Sequence, residues 1–133
     1  GCLPERIRLL PPTEDVFFYH AASDILLSAS RSETFSYALA EALYMERPAV
    51  LSDIPGTAWA AGYESATVFP SGDDRACAEA LLKAAAGFSP DTLARCRARI
   101  AKECALERWV EGVLGVYGAL MDGTQDFSSR AAS

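Results

Sequence analysis

The chain has 133 residues, a formal net charge of −6 and an isoelectric point near 4.7. This length is sufficient for one domain with a hydrophobic core, and no apolar run approaches the roughly 20 residues that a membrane-spanning helix needs. The acidic balance argues against a nucleic-acid partner, because phosphate binding requires clustered Lys and Arg.

The cysteines and the histidine limit the chemistry further. Four cysteines form no Cys-x-x-Cys pair, which predicts reduced thiols and a cytoplasmic protein. With a single histidine and no Asp-x-Asp sequence, we expect no metal site. Neither a Gly-x-Ser-x-Gly elbow nor a Gly-x-Gly-x-x-Gly loop is present.

The first elements predicted along the chain are a strand and a short helix. Residues 6–10 alternate arginine with apolar side chains as far as Leu9, which is typical of a strand with one wet face near a sheet edge. Thr13 is the predicted N-cap of a helix that ends near Ser23. His20 lies in this helix, where we expect a surface or half-buried side chain, with a general base or a ligand-binding group as the alternative.

The central part of the chain, residues 24–51, predicts a strand, a loop, a helix and a second strand. Ile25–Leu27 and Ala49–Leu51 are short apolar runs, typical of strands that are buried on both faces of a parallel sheet. Between them, an apolar stripe at helical spacing comprises Phe35, Ala38, Leu39, Ala42 and Leu43. Such crossovers are right-handed as a rule, and ligands bind in the loop after the first strand, here residues 29–37.

Two carboxylates flank the start of the predicted helix. Glu33 precedes it, and Glu41, eight positions later on the second turn, should lean back toward the same end. Unpaired N–H groups from about Phe35 to Ala38, together with the helix dipole, favour an anion there. Because carboxylates accept hydrogen bonds from hydroxyls and amines, a nucleotide diphosphate with a sugar on each side fits this arrangement.

Four pieces of sequence carry a resemblance to a known family. They are Ser30-x-x-Glu33-Thr34-Phe35-Ser36, Glu41-Ala42-Leu43, Pro48-Ala49-Val50 and Ser52-Asp53-x-x-Gly56. Together they resemble the donor-site half of the retaining GT-B glycosyltransferases of family 4, the "group 1" family, whose paired-glutamate motif matches Glu33 and Glu41. Two solvated glutamates on an ordinary strand–helix–strand unit are the alternative.

The resemblance implies roles for the residues around these glutamates. Glu33 would be the catalytic residue, in contact with hydroxyls of the transferred sugar, and Glu41 would hold the ribose hydroxyls. The amides of Phe35 and Ser36 would approach the phosphates. The substrate-binding residues implied in this way comprise Ser30, Thr34, Phe35, Ser36, Tyr37 and Glu41.

The resemblance also implies ligands and partners. The donor would be a nucleotide diphosphate sugar and the acceptor a sugar or a lipid-linked glycan, with no metal and no further cofactor. Residues 1–122 would form the C-terminal nucleotide-sugar-binding domain of a GT-B enzyme, lacking its beginning, and residues 123–133 a disordered tail. We therefore expect an incomplete site that needs an N-terminal domain or a partner chain.

After the central unit, the helix should end near Met45 or Glu46, and a left-handed conformation at Glu46 would cost roughly 1 kcal/mol. A loop at residues 53–65 holds Trp59. We expect this side chain to be a core or interdomain residue, with stacking on a sugar or base as the alternative. A last strand is predicted near residues 66–69.

Three helices complete the predicted structure. Asp73 and Ser89 are the predicted N-caps of the first two, and the third spans about residues 106–121. We expect a solvated basic face on the second helix, with a phosphate- or membrane-binding patch as the alternative. This face comprises Arg95, Arg97, Arg99 and Lys102.

We predict an α/β fold with a Rossmann-like parallel sheet and flanking helices. The sheet would have about four strands, near residues 6–10, 25–28, 49–52 and 66–69. The function predicted by resemblance is that of a glycosyltransferase donor-site domain. Two alternatives stay open: a non-catalytic nucleotide-sugar-binding subunit that needs a partner chain, and a flavodoxin-like or receiver-type domain. The last would carry an Asp cluster or a Gly-rich loop at its strand ends.

Overall fold

In the computed structural model, which describes residues 6–121, helices pack on both faces of one parallel sheet. The elements in chain order are α1 Val16–Ala22, β1 Leu26–Ser28, α2 Tyr37–Tyr44, β2 Ala49–Asp53, a 3-10 helix Pro55–Ala60, β3 Ala66–Pro70, α3 Asp74–Ala85, α4 Pro90–Glu103 and α5 Leu106–Met121. This architecture confirms the predicted Rossmann-like fold class. The tail predicted at residues 123–133 lies outside the described residues.

The sheet has the order β1-β2-β3, and both pairs of strands are parallel. Val50 in β2 lies opposite Leu27 of β1 and Thr67 of β3. β2 is buried on both faces, as predicted, because helices cover both sides of it. β1 differs from the prediction, since Leu27 is 44% exposed. The helix on that face, α3, packs on β2 and β3.

Two predictions for the N-terminal segment are wrong. Residues 6–10 form no strand and pair with none of the described strands, and Leu9 is 81% exposed. Alternating side chains give the pattern of a strand, but the backbone N–H and C=O groups also need a partner strand. Thr13 is also not the N-cap of α1, which begins at Val16 with Asp15 in the N-cap position. The Thr13 hydroxyl instead accepts the N–H of Asp15 at 3.0 Å in a local turn before the helix.

Successive side chains of β2 point to opposite faces of the sheet, so each face has its own core cluster. On one face Leu51 packs in a cluster with Leu39 of α2 and Ile100 of α4. On the other face Val50 packs in a cluster with Ala80 of α3. α5 contributes no buried residue, and none of the helices within residues 6–121 is long and apolar enough to cross a bilayer. α2 and α4 therefore form one layer and α3 the opposite layer.

The predicted end of α2 is confirmed: Tyr44 is its last residue and Met45 its C-cap, and Glu46 adopts the left-handed conformation with a φ angle of 59°. Its N–H bonds to the carbonyl of Leu43 at 3.2 Å, and the N–H of Arg47 bonds to the carbonyl of Ala42 at 2.8 Å. This pair of bonds satisfies two carbonyls of the last turn, which offsets the roughly 1 kcal/mol that a left-handed residue with a side chain costs. The carboxylate of Glu46 lies 3.2 Å from Arg97 of α4, which ties the turn to the neighbouring helix.

The predicted caps of α3 and α4 are also confirmed. Asp73 accepts the N–H of Ala76 at 2.9 Å, and Ser89 accepts the N–H of Thr92 at 3.2 Å. Each bond satisfies one of the N–H groups that a helix leaves unpaired at its start.

Each of the three arginines on the basic face of α4 is exposed and pairs with a carboxylate. The prediction of a solvated basic face is therefore correct for these arginines. The pairs are Arg95 with Glu64 at 2.6 Å, Arg97 with Glu46 at 3.2 Å and Arg99 with Glu103 at 2.9 Å. The hydrogen bond from Arg95 lowers the pKa of Glu64. Exposed pairs of this kind contribute little stability one by one, but two of them join α4 to other parts of the chain.

Glu103 lies at the centre of a small network at the end of α4. Its carboxylate accepts the hydroxyl of Tyr63 at 2.6 Å, and the guanidinium of Arg99 lies 4.1 Å from the centroid of the Tyr63 ring. The hydrogen bonds from Arg99 and then Tyr63 lower the pKa of Glu103. Burial, followed by the hydrogen bond to Glu103, raises the pKa of Tyr63.

We expect Glu103→Gln to lower stability at neutral pH and to flatten its acid dependence. A carboxylate whose pKa is lowered by folding contributes stability above its ordinary pKa of 4.5, and this contribution is lost as the pH falls through the lower folded value. The amide keeps the shape without the charge, so the expected loss near neutrality is about 1 kcal/mol. Urea denaturation from neutral pH down to about pH 3 measures both effects.

The control for this experiment is Glu79→Gln, which removes a carboxylate from an exposed pair with Arg75 on α3. An acid profile of Glu103→Gln that matches the parent protein contradicts the role assigned to the network.

Candidate functional site

The residues predicted to bind a ligand follow the carboxyl end of β1. β1 ends at Ser28, residues 29–36 form a loop, and α2 begins at Tyr37. Within the loop Glu33 is half-buried and Thr34 is exposed. Because the strands are parallel, the loops after β2 and β3 emerge at the same edge of the sheet.

The loop that carries Glu33 is fixed by the segment after β2. The hydroxyl of Ser52 donates to the carbonyl of Ser30 at 2.6 Å, and the hydroxyl of Thr57 donates to the carbonyl of Ser52 at 2.7 Å. Gly56 packs directly on the backbone of Glu33, since a Cβ at Gly56 would lie 2.1 Å from the Glu33 carbonyl oxygen. The sequence identified Ser52 and Gly56 only through the resemblance, and the structure gives them a physical role.

An aromatic cluster borders the same loop. Phe35 stacks on Trp59 with ring centroids 5.0 Å apart, and Tyr37 meets Phe35 edge-on at 5.3 Å. Trp59 is half-buried, packs on the core cluster and meets Tyr63 edge-on at 5.9 Å. The core interpretation of Trp59 is therefore correct. Tyr37, 75% exposed, is the member of the cluster that is most open to a ligand.

The N-terminus of α2 lies one residue later than predicted. Ser36 is the N-cap and is buried, and its carbonyl accepts the first bond of the helix from Ala40 at 3.2 Å. Residues 36–39 therefore have N–H groups without a partner inside the helix. The positive end of the helix dipole adds to them, so the end of α2 favours an anion, although the amide of Phe35 is outside this set.

Glu41 faces α1, where it meets the histidine. The Oε2 atom of Glu41 lies 3.5 Å from Nε2 of His20, and the Glu41 side chain is 33% exposed. His20 is only 7% exposed, and its Nε2 has no hydrogen-bond partner. The expectation of a surface or half-buried histidine is therefore wrong, because α1 packs against α2 along this side. The spacing of Val16 and His20, one helical turn apart, was the only sequence signal for an inward-facing position.

A cavity of about 410 Å³ lies beside Glu41, between α1, α2 and the junction of α4 and α5. Its carboxylates are Glu41 and Glu107, and its apolar wall includes Phe17 and Ile100. Glu33 does not line it. A larger cavity of about 620 Å³ runs along α5, but its wall includes neither Glu33 nor Glu41. Of these two cavities, the smaller one is therefore lined by a predicted site residue.

The metal-ligating potential of the described residues is low. Within residues 6–121, no group of three or more His, Cys, Asp or Glu side chains could hold a metal ion. The two predicted site carboxylates stand on different elements, Glu33 in the loop after β1 and Glu41 in α2.

The fold is that of a Rossmann-like α/β domain in which the N-terminus of the crossover helix α2 follows the loop after β1. Residues 2–86 match the family described as Glycosyl transferases group 1, and the chain belongs to this family. The match includes every predicted site residue and ends before α4 and α5. No curated protein and no solved structure matches the chain.

We expect Gly56→Ala to destabilise the domain by displacing the Glu33 loop. The new methyl group would overlap the Glu33 carbonyl, so the backbone on one side must move, at an expected cost of about 1–3 kcal/mol. Urea denaturation measures this loss. Gly62→Ala is the matched control, because its Cβ would meet Arg99 at an ordinary 3.5 Å. Equal stability of the two variants would show that the contact with Glu33 is not a constraint.

Proposed function

We propose that the chain is the donor-binding domain of a retaining GT-B-type glycosyltransferase of family 4. It would transfer a sugar from a nucleotide diphosphate sugar to an acceptor sugar or a lipid-linked glycan. The observation that carries this proposal is the match to Glycosyl transferases group 1, which includes Glu33 and Glu41 in residues 2–86. Their positions on the loop and the helix beyond β1 are consistent with it.

The proposed site divides the donor into three parts. The diphosphate binds at the N-terminus of α2, where the N–H groups of residues 36–39 and the helix dipole favour negative charge. The ribose hydroxyls donate to Glu41, and the hydroxyls of the transferred sugar donate to Glu33. The exposed hydroxyls of Thr34 and Tyr37 are available to the donor. Ser30 contributes through its carbonyl oxygen, which accepts a hydrogen bond from the Ser52 hydroxyl and thereby holds the loop in place.

The chemistry requires the acceptor hydroxyl oxygen to bond to the anomeric carbon while the bond from that carbon to the diphosphate breaks. The bonding electron pair leaves with the diphosphate, and the acceptor hydroxyl gives its proton to an oxygen of the departing diphosphate. Because negative charge grows on the diphosphate in the transition state, preorganised N–H groups at the end of α2 would stabilise that state more than the ground state. Glu33 would orient the sugar and stabilise its developing positive charge, without becoming a covalent nucleophile.

The proposal includes no metal and no cofactor besides the donor. It also retains the cytoplasmic location expected from four cysteines without a Cys-x-x-Cys pair.

The second candidate function is a non-catalytic nucleotide-sugar-binding subunit that needs a partner chain. Two observations favour a partner: β1 has one unpaired edge in the described sheet, and α5 exposes Trp109, Leu114 and Tyr117. Both candidate functions require donor binding. In a transfer assay on the 133-residue chain, turnover would exclude the second candidate. Binding of a nucleotide sugar without turnover is the result expected of the second candidate and also of a donor domain whose site is completed by a separate domain.

We expect Glu41→Ala to weaken the binding of UDP or GDP by about 10- to 100-fold, because hydrogen bonds to a charged acceptor contribute about 1.5–3 kcal/mol. Isothermal titration calorimetry with each nucleotide measures the effect. Glu79→Ala, which removes an exposed carboxylate from α3, is the control for the change in net charge. Unchanged affinity for both nucleotides in Glu41→Ala contradicts the ribose assignment.

We expect Glu33→Gln to separate the sugar from the nucleotide. The affinity for UDP or GDP should stay within a few-fold of the parent value, whereas the affinity for the matching nucleotide sugar should fall about 10-fold, because the lost charge faces only the sugar. Calorimetry with both forms of the ligand tests this difference, and Glu79→Gln is the matched control. Equal losses for nucleotide and nucleotide sugar would show that the two glutamates do not divide the donor in this way.

A further inference from the structure

His20 and Glu41 form a pair that neither the family match nor the sequence motifs assign. His20 belongs to α1, Glu41 to α2, and the two side chains approach to 3.5 Å between Nε2 and Oε2. We propose that His20 is a positioning residue, which orients the Glu41 carboxylate toward the ribose of the donor. This inference rests on the proposed function, since it needs Glu41 to bind ribose.

The burial of His20 is the first argument. The residue is 7% exposed, and its Nε2 is buried without a hydrogen-bond partner. A buried polar atom in that condition costs free energy that a hydrogen bond would recover. The charged group beside Nε2 is the Glu41 carboxylate, which lies only slightly beyond the usual range of about 2.7–3.2 Å. A small rotation of the Glu41 side chain would complete an N–H···O bond.

The geometry of the carboxylate is the second argument. A carboxylate has two oxygens, each of which can accept a hydrogen bond. With Oε2 held on the His20 side, the other oxygen stays available for a ribose hydroxyl. The Glu41 side chain is one-third exposed and lines the 410 Å³ cavity, so one side of it is open to a ligand and the other faces α1.

The anchoring of His20 is the third argument. Its carbonyl accepts both the N–H of Ser23 at 3.2 Å and the hydroxyl of Ser23 at 3.0 Å, so the backbone of His20 is tied to the end of α1. Because the imidazole is also buried, it has little freedom to turn away from Glu41. A rigid donor beside a partly exposed carboxylate is the arrangement that preorganises a binding group.

The test compares two substitutions of His20. His20→Gln keeps an N–H donor at about the same reach, whereas His20→Phe keeps the bulk and removes the donor. The readout is the preference of the full 133-residue chain for UDP or GDP over the corresponding 2′-deoxynucleotide, measured by calorimetry. We expect His20→Phe to reduce this preference about 5- to 10-fold and His20→Gln to keep it within about 2-fold.

A double-substitution cycle with Glu41→Gln strengthens the test. If His20 acts through Glu41, His20→Phe should cause no further loss of ribose preference once Glu41 has been replaced. Loss of stability alone would lower the fraction of folded chain without changing the ratio of the two nucleotide affinities. If His20→Phe does not fold, the comparison of His20→Leu with His20→Gln gives the same readout.

The outcomes distinguish this inference from the proposed function. If the parent chain does not prefer ribose and Glu41→Ala binds normally, the ribose assignment fails and this inference fails with it. If the parent chain prefers ribose through Glu41 and His20→Phe retains the preference, the proposed function stands and His20 is only a packing residue. Loss of the preference in His20→Gln as well as in His20→Phe also overturns the inference, because the retained donor should have rescued it.

Discussion

The close approach of two backbones, at Glu33 and Gly56, is the constraint on which the candidate site depends. The loop between β1 and α2 has no regular structure of its own, so its shape must come from its neighbours. Ser52 supplies a hydrogen bond to the Ser30 carbonyl, and Gly56 supplies the space for the Glu33 carbonyl. Because the loop packs through its backbone on one side, the side chain of Thr34 remains exposed on the other.

The same strand supports both the core and the loop. Leu51 of β2 belongs to the cluster with α2 and α4, Val50 belongs to the cluster with α3, and Ser52 follows them directly. Its hydroxyl bonds to the loop, while its carbonyl accepts the hydroxyl of Thr57. The packing of β2 and the position of the Glu33 loop are therefore coupled, because a shift of the strand within the core would move the residue that holds the loop.

The parts of the fold that the sequence predicted correctly are those set by local patterns. The continuous apolar run of β2, the buried positions Leu39, Ala42 and Leu43 of α2 and the caps Asp73 and Ser89 each depend on neighbouring residues in sequence, and the structure contains all of them. The end of α2 at Met45 was predictable for the same reason, and Glu46 adopts the left-handed conformation that is common at helix ends. The predicted apolar stripe is wrong at its start, because Phe35 lies in the loop before α2 and Ala38 is exposed.

The features that the sequence could not predict depend on contacts between distant segments. Residues 6–10 have the pattern of a strand, but a strand also needs a partner, which no alternation of side chains can reveal. The burial of His20 depends on where α1 docks, and the role of Gly56 depends on a loop that is 23 positions away in sequence. The sequence pattern placed the candidate residues Glu33 and Glu41 at the start of the predicted helix and the resemblance assigned their roles, whereas the groups that support them became visible only in three dimensions.

The two glutamates are held in different ways, and this difference bears on how the site would respond to a ligand. The backbone of Glu33 is held by its contact with Gly56 in the neighbouring 3-10 helix. Glu41 instead faces α1, which has only seven residues. A helix of that length has little stability alone, so the position of His20 depends on the docking of α1 against α2. If ribose binds to the Glu41 carboxylate in the orientation that His20 supports, ligand binding and α1 docking favour each other by linkage. The ribose side of the site would then be stabilised by ligand binding through α1, whereas the Glu33 side would depend on the contact with Gly56.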